Sequence, residues 1–332
     1  MKEVFINGLG FVNSQFIDSI SNEIEPLNQS ITKAKSPVLK EIISPAMSRR
    51  MATAVKLGIY ASTKALEEAN VNSPDAIITG TWNGCLIDSE KFLTNIIENN
   101  EEYLTPTAFI QSTHNTVGSQ IALHIGCKGY NFTYTNGYNS FENALLDGIL
   151  QIKNDEAKNV LVGGIDEIGE RIYALQQLIG EIETENNSGV KYSEGAHFMV
   201  LSDKQTHQTY AILKDVMILN EYDATNLYSE ILKFIRLNNL ELSDIHGIIY
   251  GIDELDLSAN FEEIKTFSYK NIIGEFGTSS AFGLILACFL LKNQELPHVF
   301  ESNQSKKAHF KNILLINGHK GKDLSLVLVQ EA

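Results

Sequence analysis

The stretch Gly129 to Asp147, GYNFTYTNGYNSFENALLD, decides how the rest of the chain is read. Phe132 to Thr135 alternates aromatic and β-branched residues, which suits a pleated strand. Asn136-Gly137 breaks that strand. Asn139 precedes Glu142 at capping-box spacing, and Phe141, Ala144, Leu145 and Ile149 then follow a helical period. A strand turning sharply into a helix is a common way to present a nucleophile, because the helix N-terminus stabilises developing negative charge. The residue at this turn is Tyr138, where a Cys or Ser would be needed.

Working outward, the 332 residues are enough to bury a sizeable core, and 43% apolar with 20% charged residues is the composition of a globular chain. No apolar run reaches the roughly 18 residues of a membrane helix. The start, MKEVFINGLGFVN, reads as a first strand and not as a leader, so a cytoplasmic location is expected. Cys85, Cys127 and Cys288 form no close pairs, which speaks against a disulfide framework or a zinc site, and each reads as a buried small hydrophobe. No metal or cofactor is expected. GLGFVN lacks the third glycine of a dinucleotide fingerprint and reads as strand and turn. The net charge of −15 disfavours nucleic acid, anionic membranes and direct docking of an acidic carrier protein.

Along the chain, strands and helices alternate. Val4–Phe11, Asp75–Thr81, Asn159–Gly164, Gly195–Ser202, 207–219, 247–251, Asn312–Asn317 and Leu324–Gln330 read as strands. Helices are expected near Ala52–Asn70, 88–98, Asn115–Ile125, 225–238 and Phe276–Lys292, with a surface loop at 183–192. NVLVGG (159–164) and NILLING (312–318) resemble each other weakly, as two copies of one βα unit would. Asp166 and Glu167 follow a strand end and read as a solvated turn. His114 and Asn115 start a helix directed at the elbow; capping and interface hydrogen bonding is the first reading and catalysis the second.

Six segments, in order over nearly the whole chain, resemble the β-ketoacyl synthases of the thiolase-like superfamily. They are RRMATAVKLGIYASTKALEEA (49–69), PTAFIQSTHNTVGSQIALHIGCKGYNFTYTNG (106–137), NVLVGGIDE (159–167), SEGAHFMVLS (193–202), YKNIIGEFGTSSAFGLILA (269–287) and NGHKGKDLSLVLV (317–329). The resemblance implies an α/β fold of two related βαβαβαββ halves in a five-layered α-β-α-β-α body, with halves at 1–203 and 204–332. It also implies where chemistry would sit. A condensing synthase carries its acyl chain on an elbow Cys and uses two His for decarboxylation and enolate stabilisation. The Cys position falls on Tyr138, whose phenol, with a pKa near 10, cannot replace a thiolate. No His occurs from Gly247 to Pro297, where the first belongs. The second His position, after Gly274, holds Glu275, while Lys270 is retained.

The pattern of loss is similar to that of the chain-length factors, inactive subunits that pair with an active synthase and shape the acyl tunnel across the dimer interface. The subgroup resembled is that of aryl polyene and flexirubin-type clusters. The resemblance implies an active β-ketoacyl synthase as heterodimer partner, acyl carrier protein reached mainly through that partner, and tunnel or interface positions at Phe109, Gln111, Thr113, His114 and Val117, with Tyr138 plugging this subunit's own site. Two alternatives stay open: a divergent decarboxylase or hydrolase using other residues such as His114, and a homodimeric acyl-binding protein.

Overall fold

A computed structural model describes the chain except residues 1, 22, 105, 181–189, 223, 253–260, 304, 306–308 and 320. The expected loop at 183–192 lies mostly outside the described residues. In chain order the first half carries β1 (Phe5–Asn13), β2 (Ile31–Thr32), α1 (Pro45–Ser48), α2 (Thr53–Ala69), β3 (Ala76–Gly80), α3 (Leu86–Glu98), α4 (Pro106–Ser112), α5 (Thr116–Ile125), β4 (Tyr130–Tyr134), α6 (Ser140–Lys153), β5 (Asn159–Asp166), α7 (Glu170–Leu178), β6 (Tyr192–Ser193) and β7 (Gly195–Ser202). The second carries β8 (Ala211–Glu221), α8 (Ala224–Leu237), β9 (Gly247–Gly251), β10 (Lys265–Ser268), α9 (Lys270–Ile273), α10 (Ser280–Asn293), β11 (Asn312–His319) and β12 (Lys322–Gln330).

Among the described residues ten strands form one sheet in the order β10-β9-β11-β12-β8-β1-β7-β5-β3-β4. Its middle joint is slight: β1 meets β8 only at Phe5↔Ile212 and Ile6↔Ala211. Outward from that joint the two sides repeat. β1-β7-β5 and β8-β12-β11 are antiparallel, and β5-β3-β4 and β11-β9-β10 are parallel. NVLVGG and NILLING therefore fall on β5 and β11, the same place in each side, so that weak repeat reflects a structural one.

Side-chain alternation builds the layers. Leu161, Ile165, Phe198 and Val200 face one way, onto α2 and α5. Their neighbours Val160, Val162, Met199 and Leu201 face the other way, onto α6 and α10. Ile313, Leu315, Val327 and Val329 reach the same central layer from the second side, while Leu314, Ile316, Leu326 and Leu328 turn outward to α8. The result is α-β-α-β-α. The central helix α10 is buried on every face, as a sandwiched helix must be. Gly8 and Gly10 let β1 lie against α2: a Cβ on either would stand 2.3 Å from the Ala65 carbonyl or 2.1 Å from that of Ala61. Close packing accounts for GLG without a cofactor.

Several short elements differ from the expectation. α4, α7, α9 and β10 were not anticipated, and α10 starts at Ser280, since Phe276–Ser279 forms the turn before it. Each of α4, α7, α9 and β10 has fewer than about ten residues, too few for a period to declare itself.

Candidate functional site

Strand β4 ends beside the first sharp turn. Gly137 takes φ +60°, the left-handed conformation that favours glycine, and Gly137–Asn139 forms a single 3-10 turn into α6. The expected Asn139–Glu142 capping box does not form. Ser140 caps the turn instead, accepting from the Asn136 N–H at 2.8 Å and donating to the Gly137 carbonyl at 2.7 Å. Glu142 points inward, where Ser325 Oγ donates to its carboxylate at 2.8 Å. Burial pushes the Glu142 carboxyl up, opposed by the Ser325 hydrogen bond and by attraction to Lys270.

Tyr138 is buried in the elbow. Its ring stacks on the His319 imidazole at 3.8 Å between centroids and 12° between planes, with Trp82 at 5.0 Å on another side. Lys270 Nζ stands 5.8 Å from the Tyr138 centroid. Lys270 and Glu275 form an ion pair at 2.6 Å, both side chains almost fully buried. The Glu275 carboxylate thus neutralises Lys270. The backbone helps hold it there: the Glu275 N–H donates to the Lys191 carbonyl at 2.6 Å, and the Ser193 N–H donates to the Glu275 carbonyl at 3.0 Å. A cavity of about 40 Å³ beside Tyr138, lined by Trp82, Tyr173, Tyr192 and Phe276 among others, leaves little room next to the elbow. His319 and Asp323, which accepts from the Tyr138 N–H at 3.3 Å, were missed by sequence reasoning. The signal available was the closing turn GHKGKD, whose placement against the elbow is long-range.

Asp166 and Glu167 are not in a solvated turn. Asp166 accepts the Trp82 and Asn83 N–H groups and both the N–H and the hydroxyl of Thr278, with Thr81 Oγ1 as a further donor at 2.9 Å. Burial still pushes its carboxyl up. Glu167 accepts the Ala54 and Ile87 N–H groups at 2.7 Å each, at the starts of α2 and α3, and burial raises its pKa to about 7. A strand end covered by two helix N-termini is buried, and carboxylates suit it because they satisfy N–H groups the helices cannot.

The candidate interface residues separate by depth. Phe109 is 56% exposed on α4 and packs on Phe92. His114 is exposed, its Cα against Gly84, two residues from Trp82, and Thr113 is half-buried with its hydroxyl on Thr116. Gln111 is buried and donates to the Arg50 carbonyl, and Val117 is buried between α5 and α2. Asn115 makes no side-chain cap, so the capping expected of it is absent. Cys85 and Cys288 are buried, with thiols pushed well above the usual range by desolvation, as expected of small hydrophobes; Cys127 is half-buried, its Sγ donating to the Pro74 carbonyl. Among the described residues no cluster of His, Cys, Asp and Glu suits a metal, and no helix is long and apolar enough to cross a membrane.

Strand β4 closes the sheet on this side, with Tyr130 41% and Phe132 45% exposed and Leu123 of α5 74% exposed nearby in sequence. Along one face Tyr130 stacks on Phe132, Tyr134 packs tilted against Phe132, and both tyrosine hydroxyls donate to Asp147.

Comparison with known proteins fits this architecture. A beta-ketoacyl synthase from Burkholderia phymatum is 14% identical with a TM-score of 0.80, each chain covered in full. The ishigamide ketosynthase/chain length factor is 16% identical with a TM-score of 0.77, covering 100% of this chain and 99% of the other. A ketosynthase in complex with its chain length factor from Xenorhabdus doucetiae is 13% identical with a TM-score of 0.75, covering 100% and 98%. No curated protein sequence matches. Residues 24–217 match the family described as beta-ketoacyl synthase, N-terminal domain. With more than half its length in that match and a thiolase-like fold throughout, the chain belongs to the beta-ketoacyl synthase family.

Proposed function

We propose that this chain is a non-catalytic, chain-length-factor-like partner of an active β-ketoacyl synthase. The observation that carries the reading is the state of the elbow: the nucleophile position is filled by a buried tyrosine, and the carboxylate at the second His position is paired to the lysine. No group there could carry an acyl chain as a thioester. In this reading β4 and the α4–α5 connection form the heterodimer face, Phe109, Thr113 and His114 reach toward the shared tunnel, and Tyr138 fills this subunit's own site. Gln111 and Val117 support that face from behind. The partner supplies Cys, both His and the carrier-binding surface, and the product is of the aryl polyene or related polyketide type. We place the boundary between the halves at 203/204.

Co-expression with a synthase that keeps Cys-His-His tests this. The expected result is a 1:1 complex that condenses acyl and malonyl carrier, while this chain alone does not. His319 against Tyr138 favours one competitor, a divergent decarboxylase, because it brings an imidazole to the site. Carbon dioxide release from malonyl carrier by the isolated chain would favour that reading and defeat ours.

A further inference from the structure

The helix start that would stabilise an acyl oxyanion is already occupied by an anion from the chain itself. The N–H of Tyr138, in the middle of the 3-10 turn that leads into α6, donates to Asp323 Oδ2 at 3.3 Å, and Asn139 Nδ2 donates to Oδ1 at 3.4 Å. Gly137 permits the approach: a Cβ there would stand 3.0 Å from the same Oδ2. Asp323 is the second residue of β12, just past the turn that pairs His319 with Lys322, and its φ of +54° is a left-handed conformation that Asp adopts more readily than most residues. Its carboxylate is held by two donors, the elbow N–H and the Asn139 amide.

We infer that Asp323 is a resident anion in the oxyanion position of the elbow, and that it blocks acyl transfer there independently of the missing cysteine. In acyl transfer a thiolate attacks the thioester carbonyl carbon. The new C–S bond forms as the carbonyl π electrons move onto oxygen, and the resulting oxyanion needs an N–H donor. As it collapses, the old C–S bond breaks, and the departing thiolate takes a proton from water. With Asp323 on the Tyr138 N–H, the oxyanion meets a carboxylate and not a donor. This rests on the non-catalytic reading only for its biological meaning; its test needs no partner synthase.

Tyr138→Cys and Tyr138→Cys/Asp323→Gly are compared in the full chain, glycine being suited to the positive φ. Each variant is reacted with a short acyl-N-acetylcysteamine thioester and with iodoacetamide, at a pH where alkylation shows its thiol fully ionised, and product is read by intact mass. Alkylation forms no oxyanion, so the acylation-to-alkylation ratio isolates the effect. The ratio should rise at least about tenfold in the double variant; an unchanged ratio overturns the inference. A second measurement does not depend on the new thiol. In Asp323→Gly alone, amide hydrogen exchange at Tyr138 should speed up at least about tenfold while the later turns of α6 keep their rates. Unchanged exchange at Tyr138 would show that Asp323 does not hold that N–H, and would equally overturn it.

Discussion

Between Tyr130 and Glu142 the chain passes from one of its most open surfaces to one of its most closed interiors. β4 ends the sheet with exposed aromatic rings. A few residues later the elbow is packed by Tyr138, His319 and Trp82 and sealed by a buried ion pair. The other end of the sheet shows that the openness is not a general feature of its edges. β10, the counterpart of β4, is mostly buried and is covered by the chain itself. The Ser302 N–H donates to the Thr266 carbonyl, Asn303 accepts the Thr266 N–H, and Lys265 pairs with Glu301 at 2.6 Å. An exposed edge invites pairing and is ordinarily covered. This chain covers one edge and leaves the other, at the same time closing the pocket beside it. Under the proposed function, the open edge would serve assembly and the closed elbow would do no chemistry.

The largest effect should come from breaking the seal. Lys270→Met leaves Glu275 and Glu142 buried without their cation, which should destabilise the chain by about 3–5 kcal/mol. Lys270→Met/Glu275→Met removes both charges of the pair and should recover most of that loss, because a buried ion pair is often replaceable by apolar groups of similar size. Urea unfolding of the two variants and the unmodified chain measures this. If the double variant is as unstable as the single one, the pair is not what closes the elbow.

The open edge should respond in binding and hardly at all in stability. Phe132 is half-exposed on an edge strand, so Phe132→Lys should shift the unfolding free energy of the isolated chain by less than about 1 kcal/mol. Its affinity for a partner synthase should fall about 100-fold or more, roughly 2.7 kcal/mol, measured by sedimentation or calorimetry. Unchanged affinity would move the interface elsewhere.

Much of this contrast was legible in the sequence. Phe132 to Thr135 read as a strand and Tyr138 as the elbow residue because both depend on local pattern and on order along the chain. The Lys270 and Glu275 positions were also visible, though not that they would pair. What stayed hidden depends on non-local geometry. His319 and Asp323 meet Tyr138 only because β12 runs back beside the elbow. Asp166 and Glu167 looked solvated because two charged residues after a strand usually are; the α2 and α3 starts that cover them come from distant parts of the chain. Glu142 looked like a capping residue because spacing cannot show which way a side chain turns.

The sealed edge supplies a smaller test. Asn303 covers the outer edge of β10, accepting from the Thr266 N–H at 3.1 Å and donating to the carbonyl of Ile264, just before the strand, at 2.7 Å. Asn303→Ala should cost about 2 kcal/mol in thermal or urea unfolding. It should also raise hydrogen exchange at Thr266 and leave β4 unaffected. If exchange rises on β4 as well, the two edges are coupled and the contrast between them weakens.

The smallest effect concerns the interior between the two regions. His197 on β7 is fully buried, stacked on Phe276 and close to Phe282, with Asn13 Nδ2 at 3.1 Å from its Nε2. An amide NH₂ can only donate, so Nε2 accepts and the ring proton sits on Nδ1. Burial lowers its pKa to about 3, against about 6.5 in an unfolded chain. Since the folded value is the lower one, stability is complete above pH 6.5 and is lost as pH falls toward 3. Between pH 7.5 and 5.5 the loss is about 1.4 kcal/mol. The total pH profile would not show this cleanly. Glu167, with its pKa raised to about 7, is destabilising when ionised and gives the opposite slope over part of the same range. His197→Phe isolates the histidine: its stability relative to the unmodified chain should improve by about 1.4 kcal/mol on going from pH 7.5 to 5.5, measured by urea unfolding at each pH. A stability difference that stays constant with pH would mean the ring is protonated equally in the folded and unfolded chains, and that the layer between β1 and α10 is not as dry as its packing implies.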